Sequence, residues 1–150
     1  MPSIKAPHNP DPYAGYNFYI EWSGIIHAGF RECNGLDSTQ EAGTYREGTD
    51  PLTMRKLPGL VTYSNITLQR GITNNDELYK WRQNIVSGVA DRREVSIVLL
   101  DDQAQEKIRW NLTNCWPTSW KAPGFNATTN DVAIESLEIA HEGIKVDKWS

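Results

Sequence analysis

The chain has 150 residues, 39% of them hydrophobic and 10% aromatic, and 15 Lys+Arg against 19 Asp+Glu leave a net charge of −4. This length supports one domain with a core that needs no staples. The acidic balance argues against affinity for nucleic-acid phosphates, the aromatic content argues against disorder, and no apolar run approaches the ~20 residues of a membrane span.

Residues 1–12 hold Pro2, Pro7, Pro10 and Pro12 and predict an extended arm ahead of a domain over 13–150. The arm has no apolar h-region, so the chain is expected to be made without a signal peptide. From Gly15, Tyr16, Phe18, Ile20 and Trp22 alternate with Asn17, Tyr19 and Glu21, as in a half-buried strand. Ser23-Gly24 then turns into a second strand over Ile25 to about Cys33. A further strand from Asp37 to Arg46 is polar on both faces. Residues 47–59, with two prolines and two glycines, predict a long loop. Leu60 to Arg70 alternates again: Leu60, Ile66 and Leu68 share a face with Thr62 and Ser64, opposite Tyr63, Asn65, Thr67 and Gln69.

A helix is signalled by Asn74 as N-cap, Glu77 at capping-box spacing, a stripe of Leu78, Trp81 and Ile85, and Gly88 just past its end. Glu94–Leu100 and Lys107–Thr113 predict a hairpin through the turn Asp101–Gln105, with Val95, Ile97, Leu99, Ile108, Trp110 and Leu112 inward. A Trp/Pro corner over 116–120, a polar turn from Pro123 to Asp131 and a last strand from Val132 to about Glu142 complete the reading. The fold class is mainly β with one helix, a small barrel or sandwich.

Residues with chemistry to offer do not converge. His8, His27 and His141 are scattered, and Cys33 and Cys115 are too few for a zinc site or a disulfide framework. A Cys/His nucleophile pair has no spacing to support it, and buried inert thiols are commoner. Asp101-Asp102 is expected in a turn, and no glycine pattern makes a phosphate cradle. No catalytic, cofactor-binding or metal-binding residue is assigned, and an enzyme is not expected. Arg55-Lys56 lies near Glu47 and Asp50, a mixed-charge patch rather than a nucleic-acid footprint.

The Asp37–Arg46 strand presents a conflict, because register is weakly specified in a strand polar on both faces, and the strand after it has one wet face of Tyr63, Asn65, Thr67 and Gln69. The pattern fits an exposed hairpin with a mobile tip. It fits equally well a hairpin whose edges pair with other copies, closing a sheet around a water-filled channel.

The run Tyr45-Arg46-Glu47-Gly48-Thr49-Asp50, with Arg55-Lys56-Leu57-Pro58-Gly59-Leu60 and Tyr63–Gly71, resembles the tail-tube family of contractile phages and phage-derived contractile injection systems. Gly29–Asp37, Leu78-Tyr79-Lys80-Trp81 and Asn130–Gly143 resemble it too, so the likeness runs from about 13 to 146. Cys33 and the 116–120 corner depart from the pattern. The resemblance implies two packed antiparallel sheets in a β-barrel or sandwich with one flanking helix anchored by Trp81. It further implies hexameric rings, stacked inside a contractile sheath, with strands of each subunit joining an inner barrel. The loop of Tyr45, Arg46, Glu47, Asp50, Arg55, Lys56, Leu57 and Pro58 would then stack one ring on the next, and Glu41, Tyr63, Asn65, Thr67 and Gln69 would face the lumen.

The implied function is that of a structural inner-tube protein that pierces the target envelope and conducts DNA or effector protein. Its partners would be further copies of itself, the sheath protein, baseplate and spike proteins, a tape-measure protein and the cargo, without direct membrane insertion. It would be made in the bacterial cytoplasm and end in the assembled particle. A ring protein of type VI secretion is the nearest alternative; a small β-barrel enzyme or ligand-binding domain is the other.

Overall fold

The computed structural model describes residues 15, 17–27, 29–45, 48 and 55–149. In chain order its elements are β1 (Phe18–Trp22), β2 (Ile25–His27), β3 (Phe30–Asn34), β4 (Ser38–Tyr45), β5 (Arg55–Tyr63), β6 (Ile66–Gly71), α1 (Glu77–Val86), β7 (Arg93–Leu100), β8 (Glu106–Lys121), β9 (Ile134–Ala140) and β10 (Ile144–Trp149). All pairings are antiparallel.

One sheet runs β2-β1-β7-β8-β9-β6-β3, with β10 also on β8, and folds over on itself along β8. The first half of β8 pairs β7 and β10, and its last residues, Trp116–Lys121, pair β9. The change of direction falls where the register to β7 slips between Leu112 and Cys115, with Asn114 at φ 50°. A bulge there bends the strand, which is how one strand can serve two layers. The first layer is β2-β1-β7-β8-β10 and the second is β8-β9-β6-β3. Between them lie Ile20, Trp22, Ile66, Leu68, Val95, Ile97, Leu112, Leu137 and Ile139, with Leu78 and Trp81 of α1 sealing the side. Fully burying an aliphatic side chain of this size contributes ~1.5–3 kcal/mol. The expected class, two packed antiparallel sheets with one helix, is the one observed.

Several local expectations are corrected. The strand expected from Ile25 to about Cys33 is two strands: β2 pairs β1 in the first layer, and β3 pairs β6 in the second. The chain changes layers at Gly29, whose φ of 87° suits glycine. The loop expected over 47–59 is shorter, because Arg55, Lys56, Leu57 and Pro58 already lie in β5 opposite Tyr45, Thr44, Gly43 and Ala42. Pro58 is tolerated because β5 is an edge strand, needing no ladder N–H at that position.

The single strand expected from Leu60 to Arg70 breaks at Ser64-Asn65, so Leu60 stays outside the core at 78% exposure while Ile66 and Leu68 enter it. The 116–120 corner is continuous strand, and β10 follows the strand expected to be last. The helix starts later than expected, with Asp76 at its N-cap and no side-chain cap. The Glu77 carboxylate is turned away to Arg70 and His27, so no capping box forms. Gly88, at φ 87°, does follow the C-cap Ser87. The expected arm over residues 1–12 lies outside the described residues.

Candidate assembly surfaces

The outward face of the second layer is polar. In β6, Ile66, Leu68 and Arg70 point inward, so Thr67 and Gln69 point out. Cross-strand pairing adds Asn34 and Glu32 of β3, Glu138 and Ser136 of β9, and Ser119 and Lys121 of β8 to the same face. Asn65 donates Nδ2–H to Glu138 Oε1 at 2.9 Å, which ties the start of β6 to this surface. Of the expected lumen residues, Asn65, Thr67 and Gln69 therefore come together. Glu41 and Tyr63 do not join them, because both lie on the separate β4–β5 ribbon. Glu32, Asn34, Ser136 and Glu138 were missed by the sequence reading. Their signal is the same alternation, carried by strands that only the pairing shows to be neighbours.

The second layer has an open edge on each side. Among the described residues, β3 pairs only β6, and Trp116–Lys121 of β8 pairs only β9. Along the order β3-β6-β9-β8 each strand opposes the last, so β3 and β8 run in opposite senses.

Among the described residues the β4–β5 ribbon pairs with nothing else, and every side chain described from Ser38 to Thr62 is exposed. It joins the body where β3 passes to β4 and β5 passes to β6. Gly35 there has φ 108°, and a Cβ would sit 2.2 Å from the Asn65 carbonyl oxygen, so the crossing needs glycine. Asp37 O accepts Ser64 N–H at 3.4 Å, and His141 Nε2 lies 3.0 Å from Ser64 O, so His141 donates there. Of the expected stacking residues, Arg55, Lys56, Leu57 and Pro58 are on this ribbon and Tyr45 ends β4. Arg46, Glu47 and Asp50 lie outside the described residues.

The body beneath these surfaces is held by a buried polar hub. Arg70 donates Nε–H to Glu135 Oε1 at 2.6 Å and Nη1–H to Glu77 Oε1 at 2.9 Å. His27 Nδ1 lies 2.9 Å from the same Glu77 oxygen and its ring stacks on Trp22 at 3.6 Å. The hub thereby links the two layers and the helix. Trp81 donates Nε1–H to Asp91 O at 2.8 Å, under the Arg93 guanidinium at 4.7 Å, so it anchors α1 as expected.

On the outer face of the first layer, Arg109 bridges Glu106 at 2.7 Å and Glu21 at 3.3 Å. The Arg109 hydrogen bond holds the Glu106 carboxyl below its usual range. Asp101 accepts Gln103 and Gln105 N–H at 2.9 Å each, a turn as expected.

Burial pushes the thiols of Cys33 and Cys115 up to about 12, which leaves them poor nucleophiles. Cys33 borders a cavity of about 310 Å³ lined by apolar Phe18, Leu36, Ile97, Leu99 and Trp110 and by polar Arg31, Glu32 and Asn34. Among the described residues, no three His, Cys, Asp or Glu side chains are grouped to hold a metal, and no helix is long and apolar enough to cross a membrane.

These features define a β-sandwich protein whose distinctive surfaces are a polar sheet, two open strand edges and a projecting ribbon. The family described as T4-like virus tail tube protein gp19 matches residues 14–145, and the chain belongs to that family. No curated protein matches it in sequence.

Among solved structures it is similar to a chain of the sheath–tube complex of PVC, an extracellular contractile injection system, in its extended state. The identity is 27% and the TM-score 0.81, over 91% of this chain and 92% of that one. A chain of the 6-fold symmetrised baseplate of the anti-feeding prophage shares the fold at 22% identity and TM-score 0.79, over 93% and 97%. A type six secretion system protein shares it more distantly, at 13% identity and TM-score 0.54, over 87% and 82%.

Proposed function

We propose that copies of this chain close into hexameric rings that stack as the inner tube of a contractile tail or injection system. The observation that carries this reading is the second layer, with its wet outward face and two unpaired edges of opposite sense. If β3 of one copy lies beside Trp116–Lys121 of the next, the new pair is antiparallel, like every pair already present. The ring can then close with no strand edge left over, which removes the aggregation hazard of open edges.

The polar face, with Thr67, Gln69, Asn65, Asn34 and Ser136, then lines the lumen. It also carries Glu32 and Glu138 against Lys121, an acidic balance that lets a polyanion slide rather than stick. Cargo, DNA or effector protein, passes through this bore when a sheath drives the tube through the target envelope. The similarity to a chain of a sheath–tube complex and to a chain of a 6-fold baseplate supports a sheath around the tube and a baseplate beneath it. The role is structural and uses no catalytic group or cofactor.

The test is electron microscopy of the concentrated, purified chain. Six-fold rings or stacked tubes are expected. A uniform monomer that persists with the cognate baseplate would overturn the reading.

A further inference from the structure

We propose that the cavity between β1 and β3 receives the Trp149 side chain of the neighbouring copy in the same ring, so that each subunit fills a gap in the next one's sandwich. This rests on the ring reading above and gives that cavity an occupant.

The pairing register puts the two features at one level on opposite sides of the subunit. The sheet folds over along β8, so the ends of its path, β2-β1 and β3, come together on the side away from the fold, while β10 lies on the fold side. β2 pairs β1 over Ile20, Glu21 and Trp22, so at Phe18 the first layer ends, among the described residues, in β1 itself. The cavity of about 310 Å³ lies against this edge, walled by Phe18, Leu99 and Trp110 of the first layer and by Cys33 of β3. Register then runs straight across the first layer: Phe18 opposes Leu99, Leu99 opposes Ile108, and Ile108 opposes Trp149. Trp149 is therefore level with the cavity and on the far edge. The ring rotation that sets β3 of one copy beside Trp116–Lys121 of its neighbour, about an axis along the strands, keeps that level. It brings the neighbour's indole to the cavity of the first copy.

The two sides suit each other chemically. Trp149 is 67% exposed and meets its own subunit edge-on, at 6.1 Å from Trp110. Burying an indole takes about 150–250 Å² out of water, and Trp is a preferred anchor at the centre of an interface. The cavity offers apolar walls with Arg31 and Glu32 among its polar lining residues. Asn34 Nδ2–H donates to Glu32 Oε1 at 2.6 Å, which leaves Oε2 to accept the indole N–H, and the Arg31 guanidinium suits the ring face. The contact joins two different patches of the same chain, so it is heterologous, and one directed around the ring closes after a full turn.

The experiment uses the full chain with Trp149→Ala, which removes the indole, Trp149→Phe, which keeps an aromatic ring, and Cys33→Phe, which fills the cavity from within. Each is first checked for a melting transition no lower than that of the unsubstituted chain. Ring formation is followed by sedimentation and electron microscopy over a concentration series, with the cognate baseplate added if a nucleus is needed. Trp149→Ala and Cys33→Phe should each raise the concentration at which rings form about tenfold or more, as loss of an interface anchor does. Trp149→Phe should stay closer to the unsubstituted chain. Where neither assembles alone, a mixture of Trp149→Ala and Cys33→Phe should give pairs, because the first keeps an open cavity and the second keeps its indole.

Rings of Trp149→Ala at the unsubstituted concentration, or a mixture without pairs, would overturn this inference and leave the ring reading intact. If Trp149→Ala melts early, Cys33→Phe decides alone: rings at the unsubstituted concentration would mean that the neighbour's indole does not enter the cavity. Absence of rings from the unsubstituted chain, even on the cognate baseplate, would instead take down the ring reading and this inference with it.

Discussion

Arg70 and Glu135 face each other across β6 and β9 and meet at 2.6 Å between Nε and Oε1, on the inward side of the second layer. Their side chains are 7% and 3% exposed, so a charge pair occupies positions that alternation reserves for apolar residues. Glu77 and the Asn75 carbonyl take further donors of the same guanidinium, and Trp120 Nε1–H donates to Glu135. The pair closes the end of the core from which β6 runs on toward α1.

Removing one partner should therefore leave an uncompensated buried charge. Arg70→Met is expected to cost about 3–5 kcal/mol in urea denaturation, with Arg70→Met/Glu135→Leu costing less than the sum of the two single changes. A single substitution within ~0.5 kcal/mol of the unsubstituted chain would show that the hub does not hold the layers.

Gly35→Ala tests the joint of the ribbon. Its φ of 108° and the 2.2 Å approach to the Asn65 carbonyl leave no room for a methyl group. The substitution should cost more than ~1 kcal/mol and speed amide exchange at Ser64, whose N–H bonds Asp37 across the joint. Unchanged exchange and melting would mean that the joint tolerates side chains.

Acid should weaken the region around the helix C-terminus. The Arg93 hydrogen bond, helped by Asn84 against burial, holds the Asp91 carboxyl below its usual value. A depressed carboxylate contributes stability that is present above the unfolded value, near pH ~4, and is lost as pH falls through the folded one. Asp91→Asn should lower stability at neutral pH and flatten its decline below about pH 4. An identical acid limb in the variant would contradict this.

Both thiols should resist modification in the folded chain. Burial pushes Cys33 and Cys115 up to about 12, so little thiolate exists at pH ~8. A thiol-reactive chromogen is expected to label neither in native buffer and both in denaturant. Rapid native labelling of Cys33 would mean that this half-buried thiol is reached through the cavity beside it and is not protected by its raised pKa.

What local chemistry determines was legible in the residues themselves. Phe18, Ile20 and Trp22, Ile66 and Leu68, and Val95 and Ile97 repeat every second position, and Leu78 and Trp81 repeat at the helical interval. Period alone therefore assigned strand, helix and buried face. The Asp101–Gln105 turn and Gly88 were legible because their roles depend on a few bonds within a few residues. The order and spacing of whole segments from Gly29 to Gly143 carried the family resemblance.

Period says which face of a strand is buried but not which strand lies beside it, and there the tertiary structure decided. The transfer of the chain between layers at Gly29, the bend of β8 at Asn114 and the pairing of Pro58 within β5 all depend on partners far along the chain. The inward Arg70 is tolerable only because Glu135 meets it from another strand. Thr67, Glu138, Asn34 and Ser119 become one polar surface only when β3, β6, β9 and β8 are laid side by side. Placing the ribbon at one end of those strands and the passage into α1 at the other is likewise a consequence of register, which no stretch of sequence contains by itself.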